Sequence, residues 1–338
     1  MAGIFILGAG GFGTALAVMA SRQGHGVTLW SPFDEEVGRL SKTREQPLLP
    51  GVTIPPEVTV TTSPEALGAC ELAVFATPSQ AVRETAKMAA GHIGEGAVVA
   101  CVSKGFEPES FKTLGEVLEE ELPRNRVVII SGPSHAEEVS RGVPTTVVAA
   151  SRSRAAAEYV QDILSGDAFR IYAGDDVVGV ELGGALKNVI ALAAGILDGL
   201  KTGDNTKAAL MTRGLAEISR LGVVMGARSE TFAGLSGVGD LIVTCSSMHS
   251  RNRRCGILIG EGVPPAEAVK QIGMTVEGYA AAKTAHGLAL RHGVEMPITA
   301  EVYKTLYEGE PPLKAVKNLM GRPKRHESEA IWLLSGRK

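Results

Sequence analysis

The first 175 residues alternate short apolar runs with stretches of helical periodicity. Runs of β-branched and apolar residues predict strands at 4–7, 27–30, 58–61, 72–76, 98–102, 127–131, 146–150 and 169–172. Residues 72–75 are apolar at every position, as expected for a strand that helices cover on both faces of a sheet. This half of the chain therefore predicts an α/β fold with a doubly wound, mostly parallel sheet.

The pattern changes near residue 176, where helical periodicity replaces the strand pattern. Helices are predicted at 177–200, 207–221, 264–272, 276–292 and 299–307, separated by Gly, Pro and Asn. This half shows no strand pattern, and no Ser-, Pro- or charge-rich linker precedes it. We predict an α/β domain at 1–175, an all-α domain at 176–330 and a C-terminal tail at 331–338.

Composition narrows the class of protein. The chain has 338 residues, 44% of them hydrophobic and 21% charged, which is typical of two domains with buried cores. A net charge of -3 gives no general basic surface, so we expect no nucleic-acid partner. The four cysteines lie far apart without C-x-x-C spacing, which favours reduced thiols over a disulfide framework or a metal site.

Neither long apolar stretch has the pattern of a membrane or secretion segment. The first 21 residues are uncharged but lack the basic stretch of a signal peptide, and glycines interrupt their apolar run. The stretch at 189–197 is shorter than the roughly 20 residues that span a bilayer, and it follows Lys187. We therefore expect a cytoplasmic protein without membrane insertion.

A glycine-rich stretch follows the first predicted strand and opens the first predicted helix. Its sequence, Gly8-Ala9-Gly10-Gly11-Phe12-Gly13, has the dinucleotide-binding spacing in the strand-turn-helix context that this motif requires. Gly8 permits the tight turn, Gly10 lets backbone approach a pyrophosphate, and Gly13 allows close helix-strand packing. We predict a Rossmann-like doubly wound sheet, with a dinucleotide site, followed by an all-α C-terminal domain.

The residues after the second strand leave the cofactor choice open. Ser31-Pro32-Phe33-Asp34 offers no acid at the strand end to bind a ribose 2′-hydroxyl and no Arg to bind a 2′-phosphate. Pro32 favours a helix start that places Asp34 in its first turn. Either NAD(H) or NADP(H) is compatible with this pattern.

Lys187 is the strongest candidate for catalysis. It interrupts a helix that is apolar or small nearly all round, so its ammonium is expected to be buried. Burial lowers a lysine pKa toward the neutral range that proton transfer needs. The alternatives are a side chain that reaches the helix edge or pairs with Glu181. Asp240, in a Gly-rich turn, is a candidate for capping a helix and for orienting Lys187, and the two roles do not exclude each other.

Other candidates follow predicted strands or precede predicted helices. Lys104 follows a buried strand and faces the ligand edge, unless it is a solvated loop lysine. Ser134 follows a Gly-Pro turn, where a capping box with Glu137 is the alternative. Arg251 belongs to an Arg-rich stretch, 249–254, before a helix expected near Cys255, and is the candidate phosphate clamp.

Seven ordered stretches resemble the bacterial NAD(P)-dependent glycerol-3-phosphate dehydrogenases. They are GAGxFGTALA at 8–17, SKG at 103–105, SGPSHAEE at 131–138, GGALKN at 183–188, GDN at 203–205, GVGDL at 237–241 and SRN at 250–252. The resemblance spans nearly the whole chain. It implies reduction of dihydroxyacetone phosphate to sn-glycerol 3-phosphate, the precursor of glycerophospholipids, and the reverse oxidation, with NAD(H) or NADP(H).

The resemblance also implies residue roles. Lys187 is implied as the proton donor to the nascent alkoxide. The implied substrate-binding positions are Lys104, Gly132, Ser134, Lys187, Asp240, Ser250, Arg251 and Asn252. The implied cofactor-binding positions are Gly11, Phe12, Lys104, Ala136, Arg251, Val276 and Glu277. The glycine motif itself adds Gly8, Gly10 and Gly13, and Phe33 after the second strand is a further candidate. Pro32 and Phe33 stand where many relatives carry a basic residue, which argues against strong NADP selectivity.

Two other function classes compete with this interpretation. Hydroxyacid and ketopantoate reductases also use a helix-borne lysine, but they bind carboxylates, so the Ser250-Arg251-Asn252 cluster argues against them. A nucleotide-sensing regulator would need an inactive site, which the presence of Lys187 and Asp240 disfavours. The sequence leaves the oligomeric state, feedback regulation and favoured direction open, and a homodimer is one compatible assembly.

Overall fold

Residues 1–324 and residue 327 are described by the computed structural model. The tail expected at 331–338 lies outside these residues. Within them, one sheet contains eight strands: β1 (Gly3–Leu7), β2 (Gly26–Trp30), β3 (Thr59–Thr61), β4 (Leu72–Phe75), β5 (Val98–Cys101), β6 (Arg126–Ser131), β7 (Thr145–Ala150) and β8 (Phe169–Gly174). Each predicted strand is therefore present, with ends shifted by a few residues.

The strand order is β3-β2-β1-β4-β5-β6-β7-β8, and neighbouring strands are parallel except for the antiparallel pair β6 and β7. The chain order reverses between β1 and β4, so the crevice at their carboxyl ends is where a doubly wound sheet binds ligands. The predicted mostly parallel sheet is confirmed.

Helices cover both faces of the sheet. They are α1 (Gly11–Arg22), α2 (Asp34–Thr43), α3 (Val82–Ala90), α4 (Leu114–Glu121), α5 (Ala136–Val139) and α6 (Arg154–Leu164), with short 3-10 helices at Glu65–Ala69 and Ser79–Ala81. Alternate residues of β1 enter different cores: Ile4 and Ile6 pack on the side of α1, and Phe5 and Leu7 on the side of α3 and α4. This two-sided burial explains the continuous apolar runs of the strands.

The second half of the described chain is helical. Its helices are α7 (Val177–Gly199), α8 (Asp204–Val224), α9 (Ser229–Phe232), α10 (Asp240–Ser246), α11 (Arg251–Gly260), α12 (Pro265–Ile272), α13 (Glu277–His292), α14 (Pro297–Tyr307) and α15 (Pro312–Met320), with a π-helical turn at Leu235–Gly239. The five predicted helices are confirmed. The sequence did not predict α9, α10 or α15, and it placed the start of α11 too late.

Helix α7 lies at the centre of this half. By length and composition it could cross a membrane, but it is mostly buried inside the protein, as a core helix is. Helix α11 crosses it at backbone contact, because a Cβ at Gly195 would overlap the carbonyl of Arg253 and one at Gly256 the carbonyl of Leu192. This close crossing holds the N-terminal turn of α11 against the helix that carries Lys187.

The four cysteines are free thiols. Burial raises the pKa of Cys101 and Cys245 to about 12 and that of Cys70 and Cys255 to about 11. These thiols are therefore protonated at neutral pH, which makes them weak nucleophiles.

Candidate active site

The glycine-rich turn after β1 is shaped for close backbone approach. Gly8 adopts a φ of 118°, which favours glycine, and its amide donates to the carbonyl of Trp30 at the end of β2 (2.9 Å). A Cβ at Gly8 would lie 2.8 Å from the backbone of Ala76, and one at Gly13 would overlap the carbonyl of Gly8. The turn and the start of α1 are thus fixed against β2 and β4.

The space above this turn is open. A Cβ at Gly10 would meet no atom within 4 Å. The helical hydrogen bonds of α1 begin with the amide of Thr14, which donates to the Gly10 carbonyl (2.9 Å). The amides of the first turn of α1 therefore have no helical partner and face this space. The nearby hydroxyl of Thr77 is buried without a hydrogen-bond partner in the described structure. These unpaired donors fit the pyrophosphate of a dinucleotide.

Two lysines converge on one buried aspartate. Lys187, 6% exposed, donates from Nζ to Asp240 Oδ1 and to Thr244 Oγ1 (2.7 Å). Lys104 donates from Nζ to Asp240 Oδ2 (2.7 Å) and to the carbonyl of Gly132 (2.9 Å). The cluster joins α7 and α10 of the helical half to loops at the carboxyl ends of β5 and β6.

Burial and mutual charge set the protonation of this cluster. Burial lowers the pKa of Lys187 to about 7, although the charge of Asp240 acts to raise it, and Lys104 lowers it further. Burial alone would raise the pKa of Asp240, but the two ammonium groups hold it below its usual value. Lys187 can therefore exchange a proton near neutral pH while Asp240 stays ionised.

The structure decides between the alternatives for Lys187 and Asp240. Glu181 accepts from the amide of Gly115 (2.6 Å), so its pairing with Lys187 is wrong. Gly239 is the N-cap of α10, and the Asp240 side chain bonds the lysines instead of capping the helix. Thr244 lies one turn after Asp240, and this i, i+4 spacing is the signal that could have identified it.

The loop after β6 lies beside Lys104. Gly132 has a φ of 140°, and its carbonyl accepts from both Lys104 and Ser134 Oγ (3.0 Å). The capping box of Ser134 with Glu137 is wrong, because His135 is the N-cap of α5 and makes no side-chain cap bond. The Gly-Pro turn thus holds the Lys104 ammonium through the backbone carbonyl of Gly132.

Two buried polar atoms lie in this loop without hydrogen-bond partners among the described residues. They are the hydroxyl of Ser131 and Nε2 of His135. A Cβ at Gly184 would lie 2.5 Å from Ser131 Oγ and 3.5 Å from Lys104 Cγ, which places this hydroxyl beside the cluster. Burial and the positive charge of Lys187 lower the pKa of His135, so the imidazole is neutral.

Helix α11 begins at Arg251, four residues before the expected start near Cys255. Ser250 is its N-cap and accepts from the amide of Arg253 (3.2 Å). Arg251 is therefore in the first turn, where helix amides and the dipole favour anions. Burial lowers its pKa, and Glu277 acts to raise it. Arg253 instead pairs with Asp198 (2.7 Å), as part of a separate ionic cluster.

Asn252 and Glu277 tie helices together. Asn252 donates to Asn188 Oδ1 (2.9 Å) and accepts from the amide of Gly278 (2.8 Å), so its amide already has protein partners. Glu277, at the start of α13, accepts from the amide (3.2 Å) and hydroxyl (2.7 Å) of Ser79 after β4. The Glu277 contacts link α13 to the carboxyl edge of the sheet. The Asn252 contacts leave few hydrogen-bonding positions of its side-chain amide for a ligand.

The remaining cofactor candidates lie at the sheet edge. A Cβ at Gly11 would be 3.9 Å from Ala136 Cβ, so α5 faces the glycine-rich turn. Val276 is buried and precedes α13 as its N-cap. Phe33 is 65% exposed after β2 and precedes α2, whose first turn contains Asp34 as expected. Within the described chain, no group of three or more His, Cys, Asp or Glu residues could hold a metal ion.

Comparison with known proteins gives matches along most of the chain. The family model for the NAD-dependent glycerol-3-phosphate dehydrogenase N-terminus matches residues 3–157, and that for the C-terminus matches residues 176–317. A glycerol-3-phosphate dehydrogenase (NAD(P)+) of Desulfitobacterium hafniense (strain Y51) is 50% identical over 336 residues, 99% of this chain and 96% of that protein. One of Moorella thermoacetica is 51% identical over 329 residues, 97% and 98% of the two chains.

A solved structure agrees with these matches. The glycerol-3-phosphate dehydrogenase of Coxiella burnetii superposes with a TM-score of 0.91 at 39% identity, covering 95% of this chain and 99% of that one. The resemblance seen in the seven sequence stretches is confirmed, against the alternative of a hydroxyacid or ketopantoate reductase. The chain belongs to the NAD-dependent glycerol-3-phosphate dehydrogenase family and is an NAD(P)-dependent oxidoreductase.

Proposed function

We propose that this enzyme reduces dihydroxyacetone phosphate to sn-glycerol 3-phosphate, and that Lys187 is its catalytic acid and base. The observation that carries the proposal is the buried pair of Lys187 and Asp240, joined to Lys104 where the two halves of the chain meet. A buried lysine with a pKa of about 7 is suited to proton transfer at neutral pH. A lysine with only a structural role usually extends its ammonium group into solvent.

The residues of the chain divide the chemistry among them. Bound NAD(P)H supplies the hydride that reduces the carbonyl carbon. Lys187 holds a proton at Nζ and gives it to the substrate oxygen as negative charge develops there. Asp240 and Thr244 fix the direction of that ammonium, and Lys104 adds a second positive charge. In the reverse direction the neutral amine of Lys187 takes the proton from the alcohol.

The proposed cofactor site lies along the edge of the sheet at β1 and β4. The amides of the glycine-rich turn, with Gly8, Gly10, Gly11, Phe12 and Gly13, would hold the pyrophosphate. Ala136, Val276 and Glu277 border the same crevice, Lys104 lies in the loop after β5, Arg251 lies on the helical side, and Phe33 lies at the β2 end. The Lys187 cluster is at the far end of this crevice from Phe33.

The proposed phosphate site is the N-terminus of α11. Arg251 would supply the guanidinium, and Ser250 and the first-turn amides would supply further donors. Gly132 and Ser134 border the substrate on the side of the sheet. The contacts of Asn252 with Asn188 and Gly278 support a role in holding α11 in place as part of this site.

The proposal also covers the setting of the enzyme. We place it in the cytoplasm, where it supplies glycerol 3-phosphate for glycerophospholipid synthesis, without a nucleic-acid partner or membrane insertion. The low net charge and the buried position of α7 support this. A homodimer and a division into domains at residue 175 stay predictions.

Initial rates of ketone reduction measured against pH test the proposed function. We expect turnover of dihydroxyacetone phosphate, with a kcat/KM that falls as pH rises through about 7, because Lys187 then loses the proton it must donate. Oxidation of glycerol 3-phosphate should rise over the same range, since it needs the neutral amine. Turnover of ketopantoate without turnover of dihydroxyacetone phosphate would exclude the proposed substrate, and rates independent of pH would exclude Lys187.

Replacing Arg251 with alanine is expected to weaken use of the phosphorylated substrate. Loss of charge-assisted bonds to phosphate should lower kcat/KM for dihydroxyacetone phosphate by about 10- to 100-fold, chiefly through KM. Arg251→Lys keeps the charge but not the two-pronged geometry, so it should recover part of the loss. An increase in KM confined to the cofactor would remove Arg251 from the phosphate site.

A further inference from the structure

A carboxylate reaches the end of β2 from the first turn of α2, although the strand itself ends without one. We propose that Glu36 makes this enzyme select NAD(H) over NADP(H), by accepting hydrogen bonds from the adenosine ribose and repelling a 2′-phosphate. The inference rests on the proposed nucleotide site and adds the chemical class of the preferred cofactor, a dinucleotide with an unphosphorylated ribose.

Glu36 is held by the residue that follows β2. Ser31 is 1% exposed, and its hydroxyl donates to Glu36 Oε2 (2.6 Å). Ser31 directly follows Trp30, whose carbonyl accepts from the amide of Gly8 in the glycine-rich turn (2.9 Å). The Glu36 carboxylate is therefore anchored by the sequence neighbour of Trp30, the residue whose carbonyl contacts the turn proposed to receive the pyrophosphate.

This position is the one from which dinucleotide sites recognise the ribose. An acid at the end of the second strand ordinarily binds the 2′-hydroxyl. Here Ser31 is the first residue after β2, and its hydroxyl holds the Glu36 carboxylate beside it. Ser31 occupies Oε2, which leaves Oε1 for a ribose hydroxyl.

The charges around Glu36 also disfavour a 2′-phosphate. The first turn of α2 contains Asp34, Glu35 and Glu36, which already meet the positive end of the helix dipole. Arg39 approaches Glu36 Oε1 at 3.9 Å, but its side chain is 49% exposed, and such surface pairs are weak. A phosphate monoester, which has about 1.5 to 2 negative charges at pH 7, would be repelled by the Glu36 carboxylate that Ser31 holds at this place, whereas the Asp34 and Glu35 side chains are exposed and make no such contact.

Calorimetric titration of the unmodified enzyme and two variants tests the inference without relying on turnover. The probes are ADP-ribose and its 2′-phosphorylated form, neither of which contains nicotinamide. We expect ADP-ribose to bind the wild type at least about tenfold more tightly. Glu36→Gln should reduce that ratio by about fivefold or more, through tighter binding of the phosphorylated probe and weaker binding of the other.

Glu35→Gln is the matched control, because it removes the same charge one residue away, from an exposed side chain without the Ser31 contact. It should leave the ratio nearly unchanged. Equal or tighter binding of the phosphorylated probe to the wild type, or an equal effect of both substitutions, would overturn the inference. Binding of neither probe to the wild type would instead overturn the nucleotide site itself, and with it the role of Glu36.

Discussion

Turnover of dihydroxyacetone phosphate is expected to fall by about 100-fold or more when Lys187 is replaced by alanine, with little change in cofactor affinity. The reason is that, among the described residues, Lys104 is the one other lysine that bonds to Asp240. The Gly132 carbonyl also holds its ammonium, so Lys104 does not replace Lys187 as the proton donor. The measurement is steady-state kinetics together with cofactor titration, because intact cofactor binding shows that the variant is folded.

Two further variants make this result specific. Lys187→Met keeps most of the side-chain volume without the ammonium, so it should be as inactive as the alanine variant and more stable. Lys283→Ala removes an exposed lysine from α13 and should keep wild-type turnover. Near wild-type turnover by either Lys187 variant would remove Lys187 from the chemistry.

Replacing Asp240 with asparagine is expected to destabilise the fold and to shift the pH dependence. The change leaves the ammonium groups of Lys187 and Lys104 without their carboxylate, and breaking a buried ion pair costs about 3–5 kcal/mol. The loss should be largest below pH 7, where Lys187 is charged in the wild type. Urea denaturation at two pH values measures it.

The pH profile of this variant gives the second readout. The charge of Asp240 raises the pKa of Lys187, so its removal should move the fall in reduction rate to lower pH. Asp198→Asn is the matched control, since Asp198 also pairs with two cations, Lys207 and Arg253, away from this cluster. It should leave the inflection in place. A profile of Asp240→Asn that overlays the wild type would separate Asp240 from the ionisation of Lys187.

Much of the fold follows from local sequence pattern. Strands such as β1 and β4 are predictable because they are buried on both faces and contain apolar residues throughout. The start of α11 was misplaced because its first turn, Arg251-Asn252-Arg253-Arg254, is polar and lacks the apolar periodicity used to find helices. Its Ser250 N-cap is a weak signal without an acid three residues later.

The candidate site was partly predictable for a related reason. Lys187 is conspicuous because one charge interrupts an otherwise apolar helix, and the cost of burying it suggests a purpose. Ser131 and Glu36 could not be placed in the same way, because their positions depend on how side chains from different elements meet. The Ser134 capping box failed since His135 is the N-cap, although the local residue types fit the motif.

The most direct test of the account is a crystal structure of the enzyme with NAD+ and dihydroxyacetone phosphate, a pair that cannot react. The account predicts Lys187 Nζ within about 2.6–3.2 Å of the carbonyl oxygen at C2, and the phosphate at the N-terminus of α11. A carbonyl oxygen out of reach of Nζ, or a phosphate bound elsewhere, would contradict it.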